Sequence, residues 1–279
     1  MTVSGATRVG AVIGDPVAHS LSPVIHNAAF AATGFDGAFV ALAVGTADLG
    51  AAMAGVRALG LLGVSVTMPH KAAVIGHLDD VRPEALALDA VNCVIREGDR
   101  LVGANTDGPG FVDALTAASV DPAGAKVLVL GAGGAARAVI RALADAGVAE
   151  IGVANRTSDR AAAAVRLGGQ VARTAAVEDA LDYDVVVNAT SVGMGMAAAD
   201  TVLPLPADRL RADQVVVDLV YEPVETALLV AARAVGARTV DGVGMLVHQA
   251  AAAFGLWTGL EAPVEVMDAA AREALRRKT

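Results

Sequence analysis

Lys126-Val127-Leu128-Val129-Leu130-Gly131-Ala132-Gly133-Gly134-Ala135-Ala136 decides the architecture of this 279-residue chain. Lys126 to Leu130 is short, rich in valine and leucine and almost wholly apolar, the pattern of a parallel strand covered on both faces. The glycine turn follows without a spacer, and Arg137 to Asp145 reads as an alanine-rich helix ending at Gly147. Gly131, Gly133 and Ala136 fit the spacing G-x-G-x-x-A. The first glycine permits a tight turn, the second lets the backbone approach a pyrophosphate, and the small third residue packs helix against strand. Free N–H groups and a partial positive charge at the helix N-terminus favour the same ligand. The glycine triplet alone is a weak signal that a ligand-free βα turn also explains, and its place in a strand–turn–helix–strand unit is what favours the pyrophosphate.

Those segments alternate. Apolar strands are expected at Glu150 to Ala154, Asp184 to Asn188, Gln214 to Leu219 and Ala237 to Val240, with a helix from Glu225 to Val235. Alternation of this kind implies parallel pairing through right-handed crossovers, a Rossmann-type doubly wound sheet. NAD sites usually place a carboxylate at the end of the second strand to hold the adenosine ribose. Here that position is Asn155, 24 residues beyond Gly131, followed by Arg156 and Thr157, with Arg160 one turn on. An amide, a hydroxyl and guanidinium groups suit a 2′-phosphate, which a carboxylate would repel, so NADP is the expected dinucleotide. The same stretch also reads as a helix start, with Thr157 or Ser158 as N-cap.

The first hundred residues repeat the alternation less regularly. Strands are expected at Arg8 to Ile13, Ala38 to Val44, Gly63 to Val66 and Ala90 to Ile95, and helices near Pro23 to Ala32, Ala47 to Leu59 and Pro83 to Leu88. Leu101 to Asn105 is placed to pair with the preceding strand through the turn Glu97-Gly98-Asp99. Two further helices, about Met245 to Phe254 and Pro263 to Arg277, follow the Val240 strand.

Composition narrows the function. Hydrophobic residues make up 55% of the chain and charged residues 18%, ample for a core and inconsistent with disorder. A net charge of −9 and an aromatic content of 3% argue against nucleic acid, which calls for phosphate-neutralising cations and stacking rings. The single cysteine, Cys93, excludes an internal disulfide framework and a multi-cysteine metal site, reads as a small buried hydrophobe and suits a reducing cytoplasm. Met1 to Gly10 shows no secretory pattern. Gly242 to Leu260 carries no charge, but His248 and Gln249 near its middle favour a buried helix over a membrane span.

Polar residues concentrate at four turns outside the glycine unit. His19-Ser20-Leu21-Ser22-Pro23 offers two hydroxyls spaced by two, Ser22 being an N-cap candidate before Pro23. Ser65-Val66-Thr67-Met68-Pro69-His70-Lys71 ends in one of only three lysines, the others being Lys126 and Lys278. Ala90-Val91-Asn92-Cys93 and Gly103-Ala104-Asn105-Thr106-Asp107-Gly108 each put an amide at or beyond a strand end, and the second adds a carboxylate, although Asx-turn chemistry also explains it.

Together the segments resemble the shikimate dehydrogenase family over nearly the whole chain. The resemblance runs through G-D-P-V-A-H-S-L-S-P at Gly14 to Pro23, V-T-M-P-H-K ending at Lys71, A-V-N-C at Ala90, G-A-N-T-D-G at Gly103, G-A-G-G-A-A-R-A at Gly131, N-R-T at Asn155, N-A-T-S-V-G-M at Asn188 and D-G-V-G-M-L-V-H-Q-A at Asp241. It implies reversible NADPH-dependent reduction of 3-dehydroshikimate to shikimate, in aromatic amino-acid biosynthesis. It implies an α/β substrate domain of residues 1–105 and 242–279 and an NADP-binding domain of residues 106–241. Carried over by position, Lys71 and Asp107 are the catalytic pair. Ser20, Ser22, Thr67, Asn92, Tyr221 and Gln249 hold the substrate. Gly131, Ala132, Gly133, Gly134, Ala135, Asn155, Arg156, Thr157, Arg160, Thr190, Leu219 and Gly242 line the NADP site. The chain departs from the family at Ser65, often Asn, and at Cys93, often Thr; Ser65 keeps a hydroxyl for turn bonding. The expected partners are this small-molecule substrate and NADP, with no metal, nucleic acid or membrane, in a cytoplasmic monomer or homodimer. A quinate/shikimate enzyme or one acting on an aminated analogue is the nearest alternative. A folate-linked methylene dehydrogenase leaves the paired serines, Lys71 and Asp107 unexplained, and a non-catalytic sensor calls for an output domain or a damaged Lys/Asp pair, neither of which the sequence shows.

Overall fold

The computed structural model describes residues 3–195 and 202–278. The chain divides into two compact units, residues 1–106 with 247–279, and residues 107–246.

The first unit is built on the strands β1 (Arg8–Gly14), β2 (Gly37–Ala43), β3 (Gly63–Val66), β4 (Asp80–Val81), β5 (Cys93–Glu97) and β6 (Arg100–Ala104), in the order β2-β1-β3-β5-β6-β4. Helices α1 (Ser22–Thr33), α2 (Leu49–Ala58) and α3 (Pro83–Leu88) connect them. β1 runs parallel to β2 and β3, but β5 is antiparallel to both β3 and β6, so this sheet is mixed. The hairpin between β5 and β6 turns on Gly98 and Asp99, with Gly98 at φ +63°, a value glycine adopts without steric cost. Side-chain alternation sorts the sheet's two faces. Ile13, Val64, Val66 and Val94 enter one apolar cluster with Leu49, Met53 and Val56 of α2.

The expectation of a strand from Ala90 is corrected: Ala90, Val91 and Asn92 are buried but irregular, and β5 starts at Cys93. Their backbone N–H groups are divided among three different segments, donating to the carbonyls of Ala85, Lys71 and Ala104. Such divided pairing rules out a regular ladder there.

The second unit starts with α4 (Asp107–Ala117) and holds β7 (Lys126–Leu130), α5 (Gly134–Asp145), β8 (Glu150–Ala154), α6 (Ser158–Val165), β9 (Ala172–Thr174), β10 (Val185–Asn188), β11 (Val215–Asp218), α7 (Ala227–Ala234) and β12 (Arg238–Val240). The sheet order is β12-β11-β10-β7-β8-β9 and every pair is parallel. That is the doubly wound arrangement, whose strand order reverses between β7 and β10 and opens a crevice at their C-terminal ends. Val127, Leu128, Val129 and Leu130 are all at most 2% exposed, as a strand covered on both faces must be.

α8 (Gly242–Thr258) and α9 (Val264–Arg276) complete the chain, and the division between units falls within α8 at residue 246. α8 is longer than the expected Met245 to Phe254, and none of the helices described is long and apolar enough to cross a membrane. Within the first unit Trp257 of α8 lies over Gly63, where a Cβ would stand 2.2 Å from the indole nitrogen. The indole N–H donates to the Val94 carbonyl at 3.0 Å, satisfying the one polar atom the ring buries.

Candidate active site

In the first unit the candidate substrate residues sit at strand ends laced by backbone bonds. Thr67 follows β3, and its N–H donates to the Ile13 carbonyl at 3.0 Å. The Asp15 N–H donates to Met68, and the His70 N–H to Thr67, which curls the segment carrying Lys71. His70 is buried, its Nε2 2.6 Å from the Val44 carbonyl, so the residue before Lys71 is pinned to the end of β2. The Lys71 carbonyl accepts from the Val91 N–H at 2.8 Å, joining the lysine segment to Asn92.

Asn92 is buried, and its Oδ1 accepts from the Thr106 N–H at 2.7 Å while its Nδ2 donates to the Thr106 hydroxyl at 3.0 Å. Asp107 is the next residue in the chain, the first of α4, and is also buried. Asn105 donates to the Ala90 carbonyl, so residues 105 and 106 are both tied to the segment 90–92.

Ser20 and Ser22 are linked hydroxyl to hydroxyl at 3.2 Å. The reading of Ser22 as N-cap is corrected: Leu21 takes the cap position without a side-chain bond, and Ser22 is the first helical residue. Leu21 is buried, and the Ser22 N–H finds its acceptor in the Ser20 hydroxyl at 3.3 Å. Ser20 thus serves the helix start that Ser22 was expected to serve. Gln249 lies on α8, half-buried.

In the second unit, Gly131 stands at φ +112°, with a Cβ there meeting the Ala189 carbonyl oxygen at 2.9 Å, so backbone conformation and space both demand glycine. The helix after it begins at Gly134 rather than at the expected Arg137, which brings the α5 N-terminus right up to the turn. Beside the turn lies a cleft of about 560 Å³. Gly131, Asn155, Arg156 and Thr190 are among its walls; Ala132, Gly133, Gly134, Ala135, Thr157, Arg160, Leu219 and Gly242 are not. Sequence reading missed Ala175, Ala176, Val177, Ser191, Val192 and Pro204, which also line it and, Ser191 aside, carry no polar signal.

The Asn155 amide donates to the Thr157 carbonyl at 3.0 Å, closing the turn and leaving Arg156 exposed at the cleft. Thr157 takes the N-cap position of α6 but makes no side-chain capping bond. Among the described residues, no carboxylate lines the cleft. Tyr221 is half-buried, and burial pushes its phenol above the usual range, with the Glu222 charge acting in the same direction.

Gly242 opens α8 against the segment after β11. A Cβ there would stand 2.6 Å from the carbonyl oxygens of both Leu219 and Val220, neither of which can swing aside. Gly242→Ala is therefore expected to destabilise the chain by about 1–3 kcal/mol, read from urea unfolding. Unchanged stability would mean that this backbone contact is looser than its geometry.

Residues 12–94 match the domain family described as shikimate dehydrogenase substrate binding domain, residues 114–241 match shikimate / quinate 5-dehydrogenase, and residues 242–272 match the shikimate 5'-dehydrogenase C-terminal domain. A shikimate dehydrogenase (NADP(+)) of Moorella thermoacetica is 48% identical over 98% of this chain and 95% of its own. The chain belongs to the shikimate dehydrogenase family. A family structure from Thermus thermophilus, solved in complex with NADP(H) and shikimate, superposes with a TM-score of 0.90 at 42% identity, covering 96% of this chain and all of that one. Another shikimate dehydrogenase, solved with NADP+, gives a TM-score of 0.94 at 38% identity, covering 98% of both chains.

Proposed function

We propose that the chain is an NADP-dependent shikimate dehydrogenase, catalysing the reversible reduction of 3-dehydroshikimate to shikimate on the route to chorismate and the aromatic amino acids. The observation that carries this is the cleft beside Gly131, walled by Asn155 and Arg156 and lined by no carboxylate among the described residues, in a chain 42% identical to an enzyme solved with NADP(H) and shikimate.

The residues fit the dinucleotide. The glycine turn and the α5 N-terminus offer N–H groups to the pyrophosphate through Gly131, Ala132, Gly133, Gly134 and Ala135. Apolar walls from Ala154, Ala176, Val177 and Pro204 suit a flat base. Arg156, with Asn155, Thr157 and Arg160, suits the ribose 2′-phosphate, and Thr190, Leu219 and Gly242 complete the site. Bound, NADPH supplies a hydride to the carbonyl carbon, and NADP+ takes it back in the reverse direction.

The chain's own residues supply the rest. Ser20, Ser22, Thr67, Asn92, Tyr221 and Gln249 hold the ring hydroxyls and carboxylate. The Lys71 ammonium stabilises the negative charge that develops on the ketone oxygen and protonates it. Asp107 compensates the lysine's charge and fixes its position. The lacing of Lys71 to Val91 and of Asn92 to Thr106 fixes the backbone that carries Lys71 and the residue that precedes Asp107. We assign NADP to the second unit, the substrate residues other than Tyr221 to the first, and the enzyme to the cytoplasm as a monomer or homodimer without nucleic-acid partners.

Steady-state reduction of NADP+ with shikimate and with quinate in parallel, repeated with NAD+, tests the reading. Shikimate with NADP+ is expected to give the highest kcat/KM, with NAD+ lower by about a hundredfold, the scale of a charge-assisted phosphate contact. No turnover with shikimate would sink the assignment. Gln249→Ala is expected to weaken shikimate binding by about tenfold while NADP+ affinity is retained. A loss confined to NADP+ would contradict the role given to Gln249.

A further inference from the structure

The two strands that follow the crevice each end in a polar residue buried completely: Asn188 on β10 and Asp218 on β11 are both 0% exposed. The Asn188 Nδ2 donates to Asp218 Oδ1 at 2.8 Å. A carboxylate only accepts, so this contact dictates which way the amide faces. Asn188 Oδ1 is thereby turned to Thr190, accepting from its N–H at 3.1 Å and from its hydroxyl at 2.7 Å. Thr190 Oγ1 in turn accepts from the Val192 N–H at 3.1 Å, and the remaining Asn188 N–H reaches the Val192 carbonyl at 3.2 Å. A directed chain of hydrogen bonds thus runs from Asp218 through Asn188 to the segment Thr190–Val192, which walls the nucleotide cleft. Asp218 is itself held by the Val220 N–H at 3.0 Å and by the Thr226 hydroxyl at 2.6 Å, and Thr226 caps α7.

We infer that Asp218 and Asn188 are positioning residues for the nucleotide site: the carboxylate sets the polarity of the chain, and the amide shapes the Thr190–Val192 wall. This rests on the NADP reading given above. Neither residue lines the cleft, so both act through Thr190. The polarity has a chemical consequence. The Thr190 hydroxyl is already committed as a donor to Asn188, so toward a bound nucleotide it presents a methyl group and a lone pair but no proton. Thr190 therefore serves a donor or apolar part of the ligand, not a phosphate oxygen.

Calorimetric titration with NADP+ tests the pair, with circular dichroism as the control for folding. Asn188→Ala and Asp218→Ala are each expected to raise the Kd for NADP+ by about tenfold, and in turnover the loss falls on the KM for NADP+ rather than on kcat. The double variant is expected to bind no more weakly than the worse single one, because both act on one wall. Asp218→Asn keeps an oxygen toward Asn188 and Val220 and should recover most of the affinity, to within about threefold. Additive losses in the double variant, or a folded Asn188→Ala protein that binds NADP+ within about twofold of wild type, overturn the inference. Thr190→Val leaves the buried pair intact and removes the hydroxyl that ends the chain, so it decides the matter if the buried variants fail to fold: about threefold weaker binding, with Thr190→Ser within about twofold of wild type, supports the chain, and unchanged binding overturns it. A wild-type protein that binds no NADP+ overturns the functional reading and this inference with it. Wild-type binding with unaffected variants overturns this inference alone.

Discussion

Lys71→Ala is expected to lower kcat for shikimate oxidation by about a hundredfold or more, the usual scale for a positioned acid or base. The effect belongs on kcat because the ammonium is asked to act on charge that exists only as the carbonyl is reduced or the alcohol oxidised. Shikimate binding, shared among Ser20, Ser22, Thr67, Asn92, Tyr221 and Gln249, is expected to change by much less. The structure also says why another lysine would be a poor replacement. Lys126 and Lys278 lie elsewhere in the sequence, whereas the Lys71 segment is held at Thr67, His70 and Val91 by backbone and imidazole bonds. Steady-state rates at saturating shikimate and NADP+ make the comparison, and a variant that turned over at near wild-type speed would remove Lys71 from the chemistry.

The second large effect concerns acid. His26 is fully buried among Phe39, Phe30 and Trp257, its ring stacked on Phe39 at 4.3 Å, and neither ring nitrogen has a hydrogen-bond partner among the described residues. Burial lowers its pKa from 6.5 to about 3. The folded chain therefore refuses a proton that the unfolded chain accepts as pH falls below 6.5. Stability contributed by the neutral ring is present above that pH and is lost progressively down to about pH 3, at up to about 1.4 kcal/mol per pH unit and about 5 kcal/mol in all. His26→Leu removes both the titration and two unsatisfied nitrogens, so it is expected to match wild type within about 1 kcal/mol at about pH 7 and to exceed it at about pH 4.5 by more than about 2 kcal/mol. Urea unfolding at the two pH values measures this. Equal acid sensitivity of the two proteins would show that His26 finds a proton-tolerant environment in the fold.

Much of the second unit was legible because its strands are continuous apolar runs bounded by turn residues. β7 and β8 begin and end where Lys126–Leu130 and Glu150–Ala154 indicated. β4 and β9 were not legible: Asp80–Val81 and Ala172–Thr174 are short edge strands, at most partly buried, and carry no alternation to read. Ala90 to Asn92 misled because burial and apolarity there come from a crossing of segments rather than a ladder. At the site, Gly131, Asn155 and Arg156 announced themselves by residue type, since each is unusual after an apolar strand. Ala175 to Val177 and Pro204 are ordinary residues brought to the cleft by topology alone, which no local pattern encodes. Asn188 and Asp218 carry a signal of another kind: Val185-Val186-Val187-Asn188 and Val215-Val216-Val217-Asp218 are neighbouring strands in register, and each ends in a polar group with nowhere apolar to hide.

The placement of Trp257 over Gly63 bears on how the protein is made. A ribosome releases residues 107–246 in one uninterrupted stretch, so the second unit has all its strands while the last helices are still unsynthesised. The first unit by then has its sheet but not the indole that caps His26 and Phe39, and that patch stays open to water until α8 emerges. The first unit can complete this packing only once Trp257 has been made, so a nascent chain stalled before Trp257 leaves an unsealed aromatic surface.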